Sequence, residues 1–192
     1  MNTTPTPAAG ARTAGTLTLA LLAGVIVVGL VFAFSSLGGN HWYSLFKWVH
    51  VTFAIVWIGG GVLLTILGMM AQRTGDPGEL VTIARLAAFA GERVFAPAGG
   101  VVFLAGIAMM LNTNWGWGTF WIDLGLLGYI ATFVTGIAVL APLARQIGTA
   151  AAEHGPQSPE VVALVNRILL LARVDIAVLL VVVADMVTKP FS

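Results

Sequence analysis

The residues best suited to chemistry stand on one stretch of the chain. Lys47, His50, Ala54, Trp57 and Gly61 are spaced three or four apart, so on a helix they form one stripe, with Gly59 and Gly60 beside it. Small residues there let another helix, or a flat cofactor, come close. A neutral imidazole ligates a metal without burying charge, which makes His50 a candidate axial ligand for haem b or copper, with Lys47, Trp57 and Gly61 as its cofactor-binding surroundings. The competing reading is a histidine hydrogen-bonded across helices. A bis-histidine haem would need a second histidine at the same depth, and His41 and His154 both fall in loops. A methionine thioether can complete a site for haem iron or Cu(I), and Met186 is placed for it, as are Met109 and Met110. Methionine in apolar helices more often fills gaps.

Charged residues inside apolar runs come next, since each costs at least ~2.5–3.5 kcal/mol at bilayer depth and needs a partner or a wet cavity. Asp185 lies one turn before Lys189 and can pair with it. It can also reach Lys47 or His50 in the same outer third, orienting the imidazole or passing it protons. Arg93 and Asp175 open the membrane parts of two other segments and are expected to form an inter-helix ion pair. Asp123 suits a helix start, where the dipole favours negative charge. The chain has no phosphate-binding loop, dinucleotide fingerprint, HExxH, GxSxG or paired carboxylates, which excludes the common hydrolases and nucleotide-driven pumps. Zero cysteines excludes disulfides, thiolate catalysis and Cys-ligated zinc or iron–sulfur clusters.

The elements that must position these residues belong in lipid. With 58% hydrophobic and only 9% charged residues among 192, there is too little charge to build a water-facing surface. No basic run exists to neutralise a row of phosphates, so nucleic acid is excluded as a partner. Apolar runs at 14–34, 42–70, 95–111, 120–143 and 168–188 predict an all-α polytopic transmembrane bundle of about five spans. Residues 1–13 read as a disordered tail and 14–36 as an extra N-terminal transmembrane helix, retained rather than cleaved as a signal peptide. Residues 42–191 form the four-helix membrane domain. Asp76-Pro77-Gly78-Glu79 matches a capping box and Ser158-Pro159-Glu160 a second Pro-started helix, so two short interfacial helices are expected on the cytoplasmic side. The order of span, loop, Pro-started helix with an arginine (Arg85, Arg167) and span occurs twice, suggesting an internal repeat. Gly99, Gly100, Gly106, Gly125, Gly128 and Gly136 are expected to mark close helix contacts.

Orientation follows from the basic residues. Arg12, Arg73, Arg85, Arg93, Arg145, Arg167 and Arg173 fall on one side and only Lys47 and Lys189 on the other. The positive-inside rule then predicts a cytoplasmic-membrane protein with its N-terminus in and its C-terminus out. Trp42, Trp48, Trp115, Trp117 and Trp121 gather at the outer interface, where amphipathic rings are half wet, and Trp57 lies deep.

The stretch Lys47-Trp-Val-His50-Val-Thr-Phe-Ala-Ile-Val-Trp57-Ile-Gly-Gly-Gly61 resembles the opening helix of the bacterial predicted integral membrane family called domain of unknown function 2269. The ending Arg173-Val-Asp175 to Asp185-Met-Val-Thr-Lys189-Pro190 is similar to that family's last helix. The resemblance covers about residues 42–191 and implies no established activity. His50, Trp57 and Gly59 also resemble the first helices of copper-resistance D-type proteins and of HemJ-type membrane haem proteins, which implies copper or haem at the histidine. Three functions stay open: a non-catalytic accessory or scaffold protein, with a homo-oligomer or membrane-protein partner in the bilayer; a haem b or copper redox protein centred on His50; and a small proton-coupled transporter using Asp185 and Asp175. Were the chain an enzyme, it would be a haem-dependent oxidoreductase.

Overall fold

The computed structural model describes residues 22–31, 41–113 and 115–191, all of them in helices or short turns. The expected tail at 1–13 and most of the expected first span lie outside the described residues. The described part of that span, α1 (Leu22–Val31), is a short apolar helix. It packs on the next element at one point, where any side chain on Gly29 would run into the Trp48 ring.

Three helices are long and apolar enough to cross a membrane: His41–Thr74, Gly78–Leu111 and Phe120–His154. The first is α2 (His41–Thr74). The second comprises α3 (Pro77–Ala90), a π-turn (Gly91–Phe95) and α4 (Ala96–Leu111). The third comprises α5 (Phe120–Thr135), a second π-turn (Gly136–Leu140) and α6 (Ala141–His154). The last helix, α7 (Pro159–Thr188), has 30 residues and carries Arg167, Arg173, Asp175 and Asp185 along its length. The expected all-α membrane architecture is thus present. The two Pro-started helices also exist, but neither is a separate interfacial element, because no turn parts them from the spans that follow.

The helix starts follow their caps. The Asp76 carboxylate accepts the Gly78 N–H at 2.8 Å, and Ser158 Oγ accepts the Val161 N–H at 3.4 Å. The capping box is only half made. Glu79 accepts from Thr74 Oγ at 2.9 Å, tying α3 back to the end of α2 rather than returning to Asp76. One end of the bundle is sealed by Ala84 of α3, Ile147, Ala150 and Ala151 of α6, and Val161, Val165 and Leu169 of α7. At the other end Met110, Trp121 and Ile122 pack with Trp115 and Met186. The first is the arginine-rich end of the bundle and the second the tryptophan-rich end.

Between them the helices approach at glycines. A Cβ on Gly99 would lie 2.7 Å from the Phe133 ring, and one on Gly68 2.8 Å from Leu169. Gly125 faces Met186 and Gly128 faces Val182. Gly100 and Gly136, also expected at contacts, meet nothing. Gly128→Val should therefore part α5 from α7 and cost about 1–3 kcal/mol in detergent unfolding. Gly100→Ala should be neutral or slightly stabilising, since only helix propensity changes.

Candidate functional site

Each π-turn has the same local cause. The sequence reads Gly-x-x-x-x-Ala-Pro from Gly91 to Pro97 and again from Gly136 to Pro142. A proline inside a helix has no N–H to give and its ring collides with the carbonyl four residues back. One extra residue in the preceding turn moves that carbonyl aside. The Ala96 N–H accordingly bonds Gly91 O and the Ala141 N–H bonds Gly136 O, each reaching back five residues. α4 and α5 both have 16 residues between their π-turn and the tryptophan-rich end. At ~1.5 Å per residue both turns sit roughly 24 Å from it, at one depth. They also meet sideways, a Cβ on Gly91 lying 3.6 Å from that of Ala141.

The two widened turns help enclose a cavity of about 150 Å³. Gly61, Thr65 and Gly68 of α2 form one wall, Gly91, Phe95, Gly136 and Leu140 another, and Ile168, Ala172 and Asp175 of α7 the third. Trp57 borders it on the tryptophan-rich side, set edge-on to Tyr129 at 5.6 Å and Phe133 at 6.0 Å. Val165 and Leu169 of the apolar seal border it on the other side. Among the described residues Asp175 is the one ionisable residue in its wall, and it has no hydrogen bond or ion pair with any of them. Thr65, the other polar side chain there, is satisfied by Gly61 O at 2.9 Å. An apolar chamber with one uncommitted carboxylate can hold a proton, or the positive or donor end of a small apolar molecule.

The residues singled out from the sequence are only partly brought together. Trp57, Gly61 and Asp175 share the cavity, and an added Cβ on Gly61 would meet open space. His50 does not line it. Its Nδ1 donates to Val102 O of α4 at 2.8 Å, which fixes the proton on that nitrogen because a carbonyl can only accept. A Cβ on Gly106 would lie 3.3 Å from the imidazole, so the ring is pressed against α4. Lys47 stands over the Tyr43 ring at 5.9 Å. Met186 packs with Trp121 and Met110 and faces Gly125 of α5. The imidazole thus serves α4 and the thioether faces α5. Among the described residues no three His, Asp or Glu side chains gather closely enough to hold a metal ion.

The expected charge pairs are replaced by others. Arg93 is exposed and makes no ion pair with Asp175; its neighbour Glu92 pairs instead with Arg145, joining the first π-turn to α6. The π-turn rotates successive side chains, so residue 92 rather than 93 faces the neighbouring helix. Asp185 meets neither Lys47, His50 nor the Lys189 side chain. It is only 5% exposed, and both its oxygens are buried without a hydrogen-bond partner among the described residues. The Lys189 ammonium lies instead 3.9 Å above the Trp115 ring. Asp123 behaves as a helix-start charge and accepts the Gly118 N–H at 3.4 Å. The two Pro-started helices that suggested the repeat begin at Pro77 and Pro159. The two halves also share the Gly-x4-Ala-Pro segment, which stands in the sequence at residues 91–97 and 136–142.

Replacing an unpaired buried carboxylate removes a desolvation penalty. Asp185→Asn should leave the unfolding free energy unchanged or raise it by about 1–3 kcal/mol. His50→Phe should lower it by about 0.5–1.5 kcal/mol through loss of the bond to α4. Denaturant titration in detergent measures both, and a strongly destabilised Asp185→Asn would mean the carboxylate has a partner after all.

No curated protein and no solved structure matches the chain. The likeness to copper-resistance D-type and HemJ-type proteins therefore rests on His50, Trp57 and Gly59 alone. Residues 44–190, most of the chain, match the model of the family described as predicted integral membrane protein, DUF2269, and the chain belongs to that family.

Proposed function

We propose that this integral membrane protein is a carrier for a small amphipathic molecule whose apolar body fits the chamber and whose positive or donor end meets Asp175. The observation that supports this reading is the coincidence of three features at one depth: two spans interrupted by π-turns, a cavity between them, and an unpaired carboxylate in its wall. An ionisable side chain kept without a partner at membrane depth is by default a functional group. About 150 Å³ accommodates an aromatic ring of benzene size. Interrupted spans at the substrate level are also a recurring feature of transporters, where irregular backbone is tolerated because it lines a cavity.

The chemistry needs no other group. When a substrate cation meets the side chain in its protonated form, the acid proton leaves to water and the carboxylate holds the cation. When the cation departs, a proton returns. One Asp175 carboxyl can thus exchange protons for substrate across the cell membrane. An accessory or scaffold role gives no use to the cavity or to Asp175.

Benzylamine is a suitable probe, being an aromatic ring with one ammonium. Calorimetry on detergent-purified protein should give one site, weakened by about tenfold or more in Asp175→Asn. Gly61→Leu, which fills the chamber, should abolish binding without loss of stability. Proteoliposomes should take up labelled benzylamine only when a proton gradient is imposed. Equal binding by wild type and both variants would return the chain to the accessory reading.

A further inference from the structure

The tryptophan-rich end holds a second set of groups that the cavity does not explain. Trp115 and Trp121 stand at 88° to each other with ring centroids 5.0 Å apart, forming two walls of a corner. Tyr43 of α2 sets its edge against Trp115 at 6.0 Å. Into this corner projects the Lys189 ammonium, 3.9 Å from the Trp115 centroid and 5.1 Å from that of Trp121. Stacked aromatic faces around a cation are how proteins recognise organic ammonium ions.

Three further facts mark the corner as more than an anchor for the chain end. First, one turn before Lys189, the Asp185 carboxylate is buried with neither oxygen bonded among the described residues. Its neighbour Gly125 is one turn along α5 from Trp121, so carboxylate and indole share one face of that helix. Second, the Trp121 Nε1–H is likewise buried and without a partner among the described residues. Third, Lys189 caps α7 in the left-handed region at φ 46°, with its N–H on Asp185 O at 2.8 Å. That position favours glycine, so a lysine there is held against its backbone preference. The protein thus supplies a cation-attracting corner, a carboxylate and an N–H donor, and satisfies only the first, with its own side chain.

We propose that this corner is a binding site for an organic ammonium ion bearing a nearby oxygen, and that the Lys189 ammonium stands where the ligand's ammonium binds. The rings and Asp185 hold the positive charge, and the Trp121 N–H donates to the oxygen. Free amino alcohols and the headgroups of zwitterionic phospholipids both carry this chemistry. Because the site rests on groups apart from the cavity, it stands or falls independently of the carrier reading.

Choline is the probe, titrated against the full chain in phosphatidylglycerol nanodiscs and followed by tryptophan fluorescence. The wild type should give a saturable change. Lys189→Gly should bind roughly fivefold tighter or more, because the competing ammonium is gone and glycine suits the cap. Lys189→Met should also bind more tightly, and Trp115→Leu should abolish the response. If a lipid headgroup is the natural ligand, phosphatidylcholine nanodiscs will suppress the choline signal; if a free amine is, the signal will be the same in both lipids. Gly61→Leu and Asp175→Asn should each leave the choline response intact. A wild-type response that does not saturate, or one unaltered by both Lys189 variants and by Trp115→Leu, overturns the proposal.

Discussion

In hydrocarbon no water can satisfy a stranded backbone group, so every N–H and carbonyl of a span must be bonded within the protein. Pro97 and Pro142 break that condition in the interior of two long helices, and the rest of the architecture is arranged around the repair. A π-turn before each proline restores the bonding by reaching back one residue further. The repair also widens the helix and redirects the side chains that follow. Because both turns fall at one depth and touch, their widening adds up on one side of the bundle instead of cancelling, and the chamber lies where it does.

Close packing elsewhere makes the chamber distinct. Glycines at 68, 99, 106, 125 and 128 let neighbouring helices approach until side chains touch the opposite backbone. The apolar seal of α3, α6 and α7 and the aromatic group of Trp57, Tyr129 and Phe133 border the chamber on two sides. Tyr129 adds a hydrogen bond from its hydroxyl to Gly99 O at 3.1 Å, joining α5 to α4 at this level.

Polar groups inside the bundle divide by whether they are committed. His50, Thr65, Thr132 and Tyr129 each have a backbone carbonyl to bond and read as structural glue. Asp175 and Asp185 have no side-chain partner among the described residues. Since a buried charge or acid without a partner lowers stability, these two aspartates, both on α7, carry the functional readings, one facing the chamber and one beside the tryptophan corner.

Much of this was legible in the chain. The apolar runs, the scarcity of charge and the caps at Asp76 and Ser158 specify helices in lipid because backbone bonding and hydrophobicity act locally. The glycine contacts were largely legible for the same reason, small residues being the ones that permit close approach. The site was legible only in pieces. Trp57, Gly61 and Asp175 could be named, but His50 and Lys47 share their stripe by spacing and still do not reach the chamber, since a stripe on a 34-residue helix meets different neighbours along its length. Pairings such as Glu92 with Arg145, and Lys189 with tryptophan rather than Asp185, depend on one residue's rotation in a π-turn and on competition between partners from distant segments. The sequence alone determined the kind of solvent and the kind of element; which side chains face one another was decided by tertiary structure, because that depends on how whole helices are rotated and offset against each other.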